Sequence, residues 1–196
     1  MRRLADDPLI RCAALAALTL IVWLPSSPRA GPVTPRERVE LALSGIEAAD
    51  LPTKAQLLRL SPVVDEVLRD IVERPSRRAL ARSRAMWALR DFASPATAAT
   101  LHKVILKNAK SADGLARLDL QQALTSYAAV VGPKSLGVTA PFLSHASIDV
   151  RHAAAFAVAL SRGPAARALL VARRKVEPSA TVRHQLDRQI AALAKK

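Results

Sequence analysis

The sequence predicts an all-α protein built from about four stacked helix pairs, and two interleaved markers at one period predict it. The first is an apolar-arginine pair at Ala81-Arg82, Ala116-Arg117, Val150-Arg151 and Val182-Arg183, with the arginines 35, 34 and 32 residues apart. The second is a Ser-Pro or Gly-Pro dipeptide at Ser61-Pro62, Ser94-Pro95, Gly132-Pro133 and Gly163-Pro164, spaced by 33, 38 and 31 residues. One marker opens a helix and the other lies near the start of the next, so together they define a helix-turn-helix unit. Repetition of such a unit every ~20 to 50 residues is the signature of an α-solenoid, in which each pair buries its apolar face against its neighbours. No run of alternating apolar residues announces a strand.

In chain order, residues 1–30 read as an export signal. Arg2 and Arg3 stand near the start, an uncharged apolar run extends from Cys12 to Leu24, and Pro25 to Pro28 break it before the small residue Ala30. The 13 residues of that run make about 20 Å of helix, short of the roughly 30 Å hydrocarbon core of a bilayer. Cleavage after Ala30 is therefore expected, with an uncleaved membrane anchor facing the same side as the alternative. Cys12 is the one cysteine of the chain. A mature chain without it holds neither a disulfide nor a thiol nucleophile, which suits a periplasmic or extracellular protein.

Residues 31–60 read as a truncated N-terminal capping unit. Thr34-Pro35 is a helix opening, followed by Arg36 to Ala49 with Val39, Leu43 and Ile46 at helical spacing, and Thr53 to Leu60 is a shorter helix. Glu37, Glu40 and Glu47 supply the polar outer face that a terminal unit needs.

The repeats occupy residues 61–93, 94–131, 132–162 and 163–196. The first pairs Pro62–Glu73 with Ser76–Phe92, the second Pro95–Ala109 with Asp113–Val131, the third Pro133–Leu143 with Ser147–Ser161, and the fourth Pro164–Lys175 with Ser179–Ala194. Ser or Gly followed by Pro is a preorganised opening, because proline lacks an N–H that would be unpaired at that position anyway. Asp113, Ser147 and Ser179 each stand three residues before the apolar member of the arginine pair, where a side-chain oxygen accepts from the free N–H groups of the first turn. Three residues after the arginines come Ala85, Leu120, Ala154 and Leu186, and seven after them Leu89, Leu124, Val158 and Ile190, all on one apolar stripe. Gly137 and Pro141 predict that the first helix of the third repeat is short or kinked.

The third repeat, with Ala140-Pro141-Phe142-Leu143, then Ser147-Ile148-Asp149-Val150-Arg151 and the alanine-rich run Ala153 to Leu160, resembles the HEAT repeats almost position by position. The first two repeats depart from that pattern: Ala81 and Ala116 replace the valine, and Pro141 has no counterpart there. The resemblance covers residues 61–196 and implies a right-handed α-solenoid acting as a noncatalytic binding scaffold. It also implies a structural role for Arg82, Arg117, Arg151 and Arg183, since this arginine in HEAT proteins bonds to acidic or carbonyl groups at repeat junctions. Asp113 and Asp149 occupy suitable turns.

Charge divides the chain. Residues 31–73 carry five Lys and Arg against eight Asp and Glu, whereas residues 74–196 carry 21 against six. Two readings stand side by side: solvated basic helices, or a surface for an acidic protein or another anionic partner. The candidate binding surface is the one lined by the second helices, with Arg84, Gln121, Gln122, His152 and His184, joined by Arg173, Arg174 and Lys175 from a first helix. A protein partner is the leading expectation, with membrane contact only through an uncleaved leader and nucleic acid the disfavoured alternative. That alternative stands because certain DNA glycosylases are built from HEAT-like repeats. They need aromatic and acidic groups at the damaged base, and beyond residue 30 the aromatic residues are Trp87, Phe92, Tyr127, Phe142 and Phe156, mostly at core spacing.

No catalytic residue, cofactor or metal is expected. The chain has no Gly-rich phosphate loop and no His-Glu-x-x-His sequence. His152 and His184 occupy equivalent repeat positions, but helices ~8–10 Å apart hold two imidazoles too far apart to meet one ion about 2.0–2.1 Å from each.

Overall fold

The first helix opens on a reciprocal cap. Thr34 accepts from the Glu37 N–H at 3.2 Å while the Glu37 carboxylate accepts from the Thr34 N–H at 2.8 Å, and Pro35 occupies the first helical position. The computed structural model describes residues 33–45, 51–74 and 79–194, so the export signal expected at residues 1–30 lies outside the described residues. Thr34–Lys196 form one compact unit. The described residues are helical and contain no strand.

Helix α1 is Pro35–Ala42, shorter than the sequence predicts. Beyond it the Ser44 hydroxyl donates to the Glu40 carbonyl and Gly45 follows, a combination that competes with continuation of the helix; the predicted continuation at 46–50 lies outside the described residues. Helix α2, Lys54–Leu60, repeats the reciprocal cap with Thr53 and Gln56. Ser61 does not open the next helix as expected. Pro62 disfavours the helical region for Ser61, which sits extended at φ −157° and closes α2, and α3 begins only at Val64 and runs to Glu73.

Helix α4 is Ala79–Ala88 and ends in a 3-10 turn, Leu89–Asp91. Helix α5, Pro95–Asn108, opens on Ser94, which accepts from the Thr97 N–H at 3.1 Å. Helix α6, Gly114–Val131, opens on Asp113, which accepts from the Ala116 N–H at 2.7 Å. The segment 132–144, expected as one first helix, is broken: a 3-10 turn at Gly132–Ser135, one helical turn at α7 (Leu136–Thr139), and a second 3-10 stretch at Ala140–Ser144. Pro141 is the physical reason, since it has no N–H to give to the Gly137 carbonyl and its ring crowds the preceding turn. Helices α8 (Ile148–Ser161), α9 (Gly163–Val176) and α10 (Ala180–Ala194) complete the unit.

Ser147 corrects another expectation. It stands at the start of α8 but its side chain makes no capping bond, and its own N–H donates to His145 Nδ1 at 3.0 Å. Ser179 does cap α10, accepting from the Val182 N–H at 3.4 Å.

Each first helix packs on its second helix: α3 on α4, α5 on α6, α9 on α10, and the broken 132–144 segment on α8. The second helices are also consecutive neighbours, α4 on α6, α6 on α8 and α8 on α10. The repeat register explains what they bury. Ala85, Leu120, Ala154 and Leu186 are fully buried, as are Leu89, Leu124 and Val158, while Ile190 is partly buried against the cluster that holds Ala154, Val158 and Leu186.

Two of the four repeated arginines, Arg151 and Arg183, clamp the turn before their own helix. Arg151 donates to the His145 and Ala146 carbonyls at 2.9 Å each, and Arg183 donates to the Glu177 and Pro178 carbonyls at 2.7 and 2.8 Å. Arg82 donates to the Val72 carbonyl at 2.9 Å and reaches across to Asp119 of α6. Arg117 is exposed and does not join this pattern. The acidic partners differ from those expected: Asp119 and Glu177 receive the arginines, while Asp113 serves as a helix cap.

A single residue, Arg162, separates α8 from α9 at φ 59° and ψ 179°, a region that is essentially reserved for glycine, and Gly163 follows at φ 80°. Arg162→Gly is expected to raise stability by about 1 kcal/mol, as relief of strain exceeds the added freedom of the unfolded chain. Thermal unfolding checks this, and a lower midpoint for the variant would contradict the strained assignment.

Candidate protein-docking groove

Three second helices, α4, α6 and α8, enclose a groove of about 750 Å³. Helix α4 contributes Leu80, Arg82 and Ser83; α6 contributes Leu115, Leu118, Asp119, Gln121, Gln122 and Thr125; α8 contributes His152, Ala153 and Phe156. The central helix explains the groove. Leu115, Leu118, Gln122 and Thr125 recur at helical spacing on one side, whereas Leu120, Ala123, Leu124 and Ala128 take the other side into the core. From Leu115 to Thr125 the groove follows α6 for about 15 Å.

Its walls are apolar and open. Leu80, Leu115 and Leu118 are 53%, 60% and 56% exposed, so three leucines on two adjacent helices share one solvated patch. Single exposed leucines are common on protein surfaces, but several lining one groove mark a place where apolar area has yet to be covered.

The floor carries the Arg82–Asp119 ion pair. Burial pushes the Asp119 carboxyl above its ordinary value, against the opposing pull of the Arg82 charge and hydrogen bond. Just outside the lining, bonded to Thr125, stands Arg90. Its guanidinium donates to Thr125 Oγ1 at 2.8 Å and Ser126 Oγ at 3.2 Å and lies 5.9 Å from the centre of the Trp87 ring. Burial pushes its pKa below the ordinary arginine value, with Asp91 acting in the opposite sense.

Three of the residues expected at a binding surface, Gln121, Gln122 and His152, line this groove. The others do not. Arg84 points to the end of α1, donating to the carbonyls of Leu43 at 3.0 Å and of Gly45. His184 and Lys175 are exposed on α10 and α9. Arg173 is bound to the buried Glu177 at 2.6 Å, and Arg174 is paired with Asp187. The basic run at 173–175 therefore has two of its three cations engaged within the fold, Arg173 sharing the Glu177 carboxylate with Arg151. Sequence phase alone missed Leu80, Leu115, Leu118 and Phe156. The signal was the apolar character of α6 on two sides, of which only one fits the repeat core.

Among the described residues no group of three His, Cys, Asp or Glu side chains is placed to hold a metal ion, and no helix is long and apolar enough to cross a membrane. No protein-family model, curated protein or solved structure matches this chain.

Proposed function

We propose that the protein is a noncatalytic HEAT-like scaffold, a right-handed solenoid of helix pairs that binds another protein along its second helices. One observation carries this reading: the open apolar groove shared by α4, α6 and α8, with leucines more than half exposed. Covering such area is favourable at about 25 cal/mol per Å², and a surface built from rigid packed helices loses little conformational freedom on binding. The spacing of the arginine pairs and the consecutive packing of the second helices support the repeat reading. The leader at residues 1–30 supports export, with an uncleaved anchor facing the same side as the alternative.

The test uses the full chain with a C-terminal tag. Fractionation and intact mass of the recovered protein should find it outside the cytosol and beginning near Gly31; a cytosolic full-length product would sink the export reading. Proteins that copurify with the wild type should be lost on Leu118→Glu and kept on Leu106→Glu, a change at a residue 65% exposed on α5 outside the groove. Equal retention by both variants would overturn the groove as the docking surface.

A further inference from the structure

We propose that the α4–α6–α8 groove takes an acidic, apolar-faced segment of a partner protein, whose carboxylate is bound by Arg90. This deepens the docking reading above and rests on it.

Arg90 is half-buried, and its two hydrogen bonds go to neutral hydroxyls, those of Thr125 and Ser126. Among the described residues it forms no ion pair, in contrast to Arg82, Arg151, Arg173 and Arg174, each of which holds a carboxylate. A guanidinium partly removed from water and held only by hydroxyls and an aromatic face retains donors and field for an anion. Thr125 belongs at once to the Arg90 bond and to the groove lining, so the cation, itself outside the lining, adjoins the groove at Thr125. Exposed Arg117, beside Leu118, adds positive charge toward the opposite end.

The remainder of the groove selects a polypeptide over a free lipid chain. Leu80, Leu118 and Phe156 offer anchors for apolar side chains, but Gln121 and His152 set polar groups among them. A hydrocarbon chain lying there would cover those polar groups without bonding them, which is costly, whereas a peptide brings its own donors and acceptors. The 15 Å or so of groove matches about ten residues of helix or about five of extended chain.

The test selects twelve-residue peptides from a random displayed library against the full-length protein and measures their affinities by fluorescence anisotropy. The expected result is enrichment of peptides combining leucine or phenylalanine with Asp or Glu, at least about tenfold weaker binding to Arg90→Gln, and smaller loss on Arg90→Lys, which keeps the charge. Because Arg90→Gln alters a half-buried site, Leu118→Glu serves as a second variant on an exposed position, and it should also abolish binding. Peptides without acidic enrichment that bind wild type and Arg90→Gln alike, yet fail with Leu118→Glu, would overturn the anionic partner and leave the groove reading intact. Binding that survives Leu118→Glu would overturn both. Saturable binding of dodecanoate that displaces the peptides, or self-association lost on Leu118→Glu without any selected peptide, would assign the groove to a lipid or to a second copy and overturn the proposal.

Discussion

Glu177→Ala is expected to cost about 3–5 kcal/mol, the largest loss from any single change discussed for this protein. The Glu177 side chain is fully buried at the turn between α9 and α10, where it accepts from Arg151 at 2.8 Å and from Arg173 at 2.6 Å, while the Ser179 N–H donates to it at 3.0 Å. Its removal leaves the Arg151 guanidinium, itself 8% exposed, without its carboxylate. A buried unpaired charge is far more costly than a buried pair is favourable. The triple replacement Arg151→Met, Arg173→Met and Glu177→Leu, which removes all three charges, should therefore recover most of the loss, which a merely local packing defect would not.

The same site sets an acid limb. Burial pushes the Glu177 carboxyl up, but the bonds from Arg151 and Arg173 and the Ser179 N–H outweigh it and hold the group down at about 2 from an ordinary 4.5. A lowered folded value means stability that is complete above the unfolded value near 4.5 and is lost as pH falls toward 2. Chemical denaturation of wild type and Glu177→Gln across that window checks the sign: the wild type should lose stability more steeply than the variant. Parallel slopes would remove Glu177 from the acid response.

The second large effect lies on α6. Leu124→Ala is expected to cost about 2–5 kcal/mol, because Leu124 is fully buried in the core and its removal leaves a cavity among close-packed helices. Leu118→Ala should change stability by less than about 0.5 kcal/mol, since that side chain is 56% exposed. The two leucines are six residues apart on one helix, so urea unfolding of the pair reads directly which side of α6 faces the core. Equal losses would contradict the orientation on which the groove depends.

The helix pairs were legible because their signals are local and repeated. Val150-Arg151, Ser94-Pro95 and Asp113 each act within one turn of chain, and the stripe from Leu120 to Leu124 follows helical spacing. Where two local signals compete, the reading slips: Pro62 made Ser61 the end of α2 instead of the start of α3, and Ser44-Gly45 ended α1 early. Long-range partners were not legible at all. Nothing near Arg151 in the chain points to Glu177, 26 residues on, and the acids in the nearest turns were the natural but mistaken candidates. The groove was half legible: Gln121, Gln122 and His152 follow from helical phase, whereas the exposure of Leu80, Leu115 and Leu118 depends on how far apart three helices stand.

The most direct test of the docking account places a photocrosslinking benzoylphenylalanine at Leu118 in the full-length protein expressed in its own cells, with Leu106 as the control position. The account predicts discrete crosslinked protein adducts from Leu118, none from Leu106, and loss of the Leu118 adducts when Leu80 is changed to Glu across the groove. Adducts of equal yield from both positions, or none from Leu118, would contradict it.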